Sequence, residues 1–157
     1  MPWLHGIKPV AISVATVRVG SGNWDARFKT VSYLTHVQAW KSAATPEVIL
    51  LNEHGHVASA ARANIFWRRD NQLFTPAHEA GCRNGVVRSF ILKRRKVVLG
   101  HFPLSDLQQA DEIFLTNSMK GIVSVNEWEG RSLKLFPQAD KLREDYEVEV
   151  VTQVAGR

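Results

Sequence analysis

Two rhythms of apolar and polar positions run along this chain. Residues 9–19 (PVAISVATVRV) are rich in β-branched side chains and partly alternate, which predicts a strand. In residues 33–44 (YLTHVQAWKSAA) the apolar positions Leu34, Val37 and Trp40 stand three apart, which predicts a helix, and Pro46 terminates it. Residues 47–52 (EVILLN) form a short apolar run, the pattern of a buried strand. Glu53-His54-Gly55-His56 reads as a turn, and Val57 opens a second short strand. Residues 64–69 (NIFWRR) and 72–75 (QLFT) flank Asp70-Asn71, a hairpin signal that Pro76 closes. Residues 85–96 (GVVRSFILKRRK) have helical spacing, 97–102 predict a strand, and Ser105 is a candidate cap for a short helix through Gln109. Residues 112–116 (EIFLT) and 122–128 (IVSVNEW) predict strands joined by a turn at Met119-Lys120-Gly121. Residues 138–150 start as a helix and fade. Strands and helices alternate with hairpins between them, so the expected fold class is α+β, a mixed α/β architecture.

The 157 residues suit a single domain over 1–157 with a sizeable core. With 45% hydrophobic and 22% charged residues, the composition excludes a disordered, collagen-like or coiled-coil chain. No apolar run reaches the roughly 18–20 residues of a membrane helix, and residues 1–6 lack the features of a signal peptide. Cys82 is the single cysteine, which leaves no internal disulfide and no cysteine-based zinc cluster. The expectation is a cytoplasmic protein without a membrane partner. The net charge of +5 mildly favours anionic ligands. The run Lys93-Arg94-Arg95-Lys96 is expected to be a solvated helix end, because no RNP, zinc-finger or bZIP pattern supports a nucleic-acid surface. Six histidines show no H-x-x-x-H spacing, so no metal site is expected, and neither G-x-S-x-G nor a P-loop occurs.

The order of local motifs is more specific. Arg27-Phe28-Lys29-Thr30-Val31-Ser32-Tyr33-Leu34 resembles the lysine segment of the class IV aminotransferases, the fold-type IV pyridoxal-phosphate enzymes. In matching order follow Val48-Ile49-Leu50-Leu51-Asn52, Gly55-His56-Val57, Ala63-Asn64-Ile65-Phe66-Trp67, Leu73-Phe74-Thr75-Pro76, Gly81 with Gly85-Val86-Val87-Arg88, and residues 110–118 (ADEIFLTNS) before Gly121-Ile122. The resemblance covers about residues 25–128, and its Asn-Ile-Phe-Trp and Thr-Asn-Ser-Met-Lys-Gly segments are most similar to aminodeoxychorismate lyases.

The resemblance implies a D-amino acid aminotransferase-like fold, a mixed-sheet pseudo-barrel with flanking helices that binds pyridoxal 5'-phosphate. Lys29 matches the lysine that forms the Schiff base and then moves the α-proton, roles an amine of lowered pKa can fill. Gly85, Val86 and Val87 match the helix entry whose backbone N–H groups hold the phosphate. Thr116, Asn117 and Ser118 match a second phosphate-contacting segment. Tyr33 matches a tyrosine near the cofactor's phenolic oxygen. Arg88 and Asn64 are expected to be structural, and Cys82 a small packing residue.

Two departures from the family pattern shape the expected chemistry. Ser59 stands where the family places a glutamate against the pyridine nitrogen. A carboxylate there favours the cationic ring that acts as an electron sink; a serine hydroxyl supplies no charge. Elimination tolerates a neutral ring better than transamination does. The chain also starts near the family's interdomain linker, so a homodimer or an N-terminal domain elsewhere is expected to complete the site. The implied function is a lyase or aminotransferase acting on an amino-bearing carboxylic acid, most like pyruvate elimination to give 4-aminobenzoate. The alternatives are transamination of the branched-chain or D-amino acid type, and an impaired relative that binds little cofactor.

Overall fold

The apolar run at 47–52 becomes β2 (Glu47–Asn52), buried along all six residues. A strand covered on both faces needs no alternation, which is why its sequence shows none. It runs parallel to β1 (Val10–Val19) on one side and antiparallel to β3 (Val57–Ala60) on the other. The computed structural model describes residues 7–22, 33–135 and 137–155.

The hairpin forms as expected from β4 (Asn64–Arg69) and β5 (Gln72–Pro76). Asp70 and Asn71 both take positive φ, 48° and 64°, as a tight two-residue connection requires. The remaining strands are β6 (Val97–Gly100), β7 (Glu112–Asn117), β8 (Gly121–Trp128) and β9 (Arg131–Ser132). All belong to one sheet of order β3-β2-β1-β8-β7-β4-β5-β6, with β9 paired to β8. Parallel and antiparallel pairs are mixed. The sheet curls so that its two edges approach: Val57 N–H, at the start of β3, donates to the Phe102 carbonyl just past β6 at 2.8 Å. The result is a curled half-barrel with flanking helices, the architecture expected from the motif order.

Strand alternation divides the core. On β4, Ile65 and Trp67 face a cluster with Phe74, Leu107, Ile113 and Leu115, while Phe66 faces a second one. Trp67 is fully buried, stacked on Phe74 and met edge-on by Phe102. Phe66 stacks on Phe114 at 5.2 Å, beneath α2 (Val86–Arg94) and α4 (Pro137–Ala155). The third cluster lies under α1 (Leu34–Ser42), where Ala39 meets Val48, Leu50 and Ala58.

Three details differ from the sequence expectations. Ser105 lies inside α3 (Leu104–Gln108) rather than capping it. Pro103 holds the cap position, and its carbonyl accepts from Asp106 N–H at 3.1 Å. The last helix does not fade but runs 19 residues through Ala155. The basic run explains this. Arg94 pairs with Glu149 at 2.7 Å and Arg95 with Asp145 at 2.6 Å, so half of that run fastens α4 rather than facing only solvent. A 3-10 turn at His78–Ala80 and the short β9 carried no sequence signal. No helix among the described residues is long and apolar enough to cross a membrane.

Candidate active site

Three chain segments converge where β3 and β7 end and α2 begins. They enclose a cavity of about 340 Å³. Ser59 comes from β3, Gly85, Val86 and Val87 from the entry to α2, and Thr116, Asn117 and Ser118 from the end of β7. Seven of the nine expected site residues therefore line one space. Tyr33 lines an adjoining cavity of about 420 Å³ instead. The two cavities share Arg62, Ala63, Arg83, Asn117 and Ser118 as walls. Lys29 lies outside the described residues, as does the rest of 23–32.

The polar groups of the smaller cavity are unusually free. Ser59 and Thr116 are 6% and 1% exposed, yet neither hydroxyl has a hydrogen-bond partner among the described residues. A buried hydroxyl without a partner costs on the order of 1–3 kcal/mol, which a bound ligand can return. In α2 the first helical bond runs from Ser89 N–H to the Gly85 carbonyl at 2.9 Å, which leaves Val86 and Val87 N–H without an intrahelical acceptor. No side chain caps this end, and no acidic residue occupies the first turn. The helix start thus presents donors and a positive dipole end to the cavity. Val87 can act through its backbone alone, because its side chain is buried in the core. The Asn117 side chain is also committed: Oδ1 accepts from Met119 and Lys120 N–H at 3.0 and 2.8 Å, and Nδ2 donates to the Arg62 carbonyl.

Packing holds this entry in place. Asn64 Nδ2 donates to the Arg83 carbonyl at 2.7 Å, and Arg88, 3% exposed, donates to the Pro76 carbonyl at 2.9 Å. Both residues are structural braces. Cys82 is buried against the Pro76 and Ala77 carbonyls, and burial pushes its thiol pKa up. Gly81 has φ +99°, and a Cβ there would come within 3.3 Å of Ser21 Cα. Ser21 is itself tied to Glu53 through its N–H (2.8 Å) and hydroxyl (2.7 Å), bonds that hold the Glu53 carboxyl down to about 2. Ser21 thus lies beside Gly81, and both Gly81 and Tyr33 stand on cavity walls.

Three residues at the site, Arg83, His36 and Arg62, were not among those the sequence singled out. Tyr33 Oη donates to the Ala61 carbonyl at 2.5 Å and accepts from Arg83, whose guanidinium lies 4.3 Å above the Tyr33 ring. Burial outweighs Arg83 and raises the Tyr33 pKa. His36, one helical turn along, stacks on Tyr33 at 4.2 Å. Burial, aided by Arg83, lowers its pKa to about 4, so it is neutral at pH 7. Arg62 pairs with Glu47 at 3.3 Å, covers Trp40 and donates to the Pro46 carbonyl. For two of these the sequence signal was adjacency alone: Arg83 precedes the expected anion turn, and His36 follows Tyr33 by one turn; Arg62 carried none.

Among the described residues, no group of three or more histidine, cysteine, aspartate or glutamate side chains is placed to hold a metal. The donor set suits an organic anion that carries a hydrogen-bond acceptor at its far end.

Comparison with known proteins points the same way. The Bacillus subtilis (strain 168) aminodeoxychorismate lyase is 31% identical over 135 residues, which covers 77% of this chain and 46% of that protein. A putative branched-chain-amino-acid aminotransferase of Methanocaldococcus jannaschii is 32% identical over 134 residues, covering 80% and 46%. This chain thus spans about half the length of these curated relatives. Among solved structures, the branched-chain aminotransferase of Thermoproteus uzoniensis with norvaline superposes with a TM-score of 0.85 at 26% identity, over 90% of this chain and 51% of that one. A putative branched-chain amino acid aminotransferase from Thermotoga maritima gives 0.84 at 25% identity, over 96% and 58%. The profile described as Amino-transferase class IV matches residues 2–128, and the chain belongs to that family.

Proposed function

We propose that this chain carries the pyridoxal-phosphate site of a class IV lyase that acts on an amino-bearing carboxylic acid. The family depends on that cofactor. The observation that carries the reading is the shared cavity: two buried hydroxyls, Ser59 Oγ and Thr116 Oγ1, without a partner among the described residues, with the open first turn of α2. Val86 and Val87 N–H and Thr116 Oγ1 would hold the phosphate. Ser59 Oγ would bond the ring nitrogen without placing a charge beside it. When bound, the cofactor supplies an electron sink for negative charge at the substrate α-carbon. Lys29 Nζ would hold the cofactor's aldehyde carbon and carry the α-proton.

Ser59 favours elimination over transamination, and the B. subtilis relative fits a lyase. The second reading, transamination, is favoured by the branched-chain aminotransferase structures that share this fold. Leu34, Val86 and Met119 are 78, 70 and 77% exposed near the two cavities, an apolar rim that a second domain or a second copy would cover. The test is spectroscopic. Wild type plus pyridoxal phosphate is expected to develop a visible absorption band, and Lys29→Ala is expected to lack it. Retention of the band in Lys29→Ala removes the assignment.

A further inference from the structure

Arg83 stands on the wall between the two cavities. It is half-buried, and no carboxylate among the described residues pairs with it. One terminal nitrogen donates to Tyr33 Oη, and stacking on that ring fixes the plane of the guanidinium. A guanidinium has five N–H donors, and among the described residues this one donates to Tyr33 Oη alone. Its neighbours do not neutralise it: Glu47 is taken by Arg62, and His36 is neutral at pH 7. A half-buried cation with no counter-charge among the described residues is costly to keep, and a ligand anion is its natural complement.

The larger cavity defines what that anion is attached to. Val10, Leu115, Met119 and Val123 make its walls largely apolar. The α2 entry, proposed above to hold the phosphate, lines the other cavity, which shares Arg83 as a wall. Resting on the function proposed above, we propose that Arg83 is a specificity-determining residue that binds a carboxylate of the substrate, whose apolar body occupies the larger cavity. The substrate class is then an apolar-bodied acid. Uncharged amides of the same shape are rejected, because they leave the guanidinium without a counter-charge.

The test uses the full chain, with benzoate as the probe and benzamide as its uncharged isostere, titrated calorimetrically at low salt. Wild type is expected to bind benzoate about tenfold or more tightly than benzamide, the scale of one charge-assisted hydrogen-bonded contact. Arg83→Gln is expected to abolish that preference, and Arg83→Lys to keep part of it, since a point charge replaces the fork. Equal affinities in wild type, or a benzoate preference that survives in Arg83→Gln, overturn the proposal. If Arg83→Gln fails to fold, discrimination in folded Arg83→Lys that is reduced from wild type supports the proposal, and discrimination equal to wild type overturns it. The visible band with pyridoxal phosphate separates this from the cofactor reading. Its absence in wild type with the benzoate preference intact sinks the cofactor reading alone. Its loss in Arg83→Gln assigns the guanidinium to the cofactor and overturns the carboxylate role.

Discussion

Asn64 Oδ1 occupies the place where a Cβ on residue 85 would have to go. The amide cannot swing aside freely, because its Nδ2 is held by the Arg83 carbonyl at 2.7 Å. Gly85 is therefore required by close approach, since its φ of −70° is open to any residue. Gly85→Ala is expected to cost about 1–3 kcal/mol, the range for overpacking, read as a drop in Tm. The Asn64→Ala/Gly85→Ala double variant is expected to recover part of that loss. An additive double variant would show that the clash is not the cause.

Glu112 is buried, and burial raises its pKa above 4.5 despite Arg68 at 3.5 Å and the Ala139 N–H at 3.1 Å. A raised folded-state pKa means that the folded chain holds the proton more tightly than the unfolded chain. The stabilisation is full below the unfolded value and fades as pH rises through the folded one. Glu112→Gln keeps an acceptor for Ala139 and removes the titration. The Tm of wild type relative to Glu112→Gln is expected to rise on acidification from pH 7 toward 4.5. A pH-independent difference would show that Glu112 does not titrate in this window.

Much of this architecture was readable because local pattern and burial agree. Residues 47–52 announced a doubly covered strand, and Asp70-Asn71 fixed a hairpin whose turn needs two positive φ angles. What stayed hidden depends on distant partners. The extent of α4 is set by Arg94 and Arg95, some 50 residues earlier, and by Tyr146 packing on Phe90. Pro103 displaced Ser105 as the cap because the chain reaches α3 straight from the closure against His56. At the site, glycine and hydroxyl motifs were visible as words in the sequence. The Arg83–Tyr33–His36 stack was not, since it joins side chains up to 50 residues apart.

The fastening of α4 is itself measurable. The Arg94–Glu149 and Arg95–Asp145 pairs are about one-third exposed, so each contributes on the order of 0.2–1 kcal/mol. Arg94→Ala/Arg95→Ala is expected to lower stability by about 1 kcal/mol, with amide exchange rising first in the C-terminal half of α4. Added salt is expected to shrink the gap to wild type. Unchanged exchange along 145–155 would mean that the apolar contacts of Leu142 and Tyr146 hold the helix unaided.

Ser59 sits on β3 opposite Leu50, with its hydroxyl buried and open to the cavity. If that hydroxyl meets the ring nitrogen of the cofactor, the charge at that nitrogen is adjustable from this one position. Ser59→Glu places a carboxylate there, which favours the protonated, cationic ring and deepens the electron sink. Transamination depends on that sink more than elimination does. The expected outcome is a higher ratio of pyridoxamine phosphate formed to keto acid eliminated in a single turnover. Ser59→Ala, which removes the hydrogen bond and adds no charge, is expected to leave the ratio near wild type while weakening cofactor retention. An unchanged ratio in a folded, cofactor-loaded Ser59→Glu would show that Ser59 does not face the ring nitrogen, and the proposal that it tilts the site toward elimination would fall.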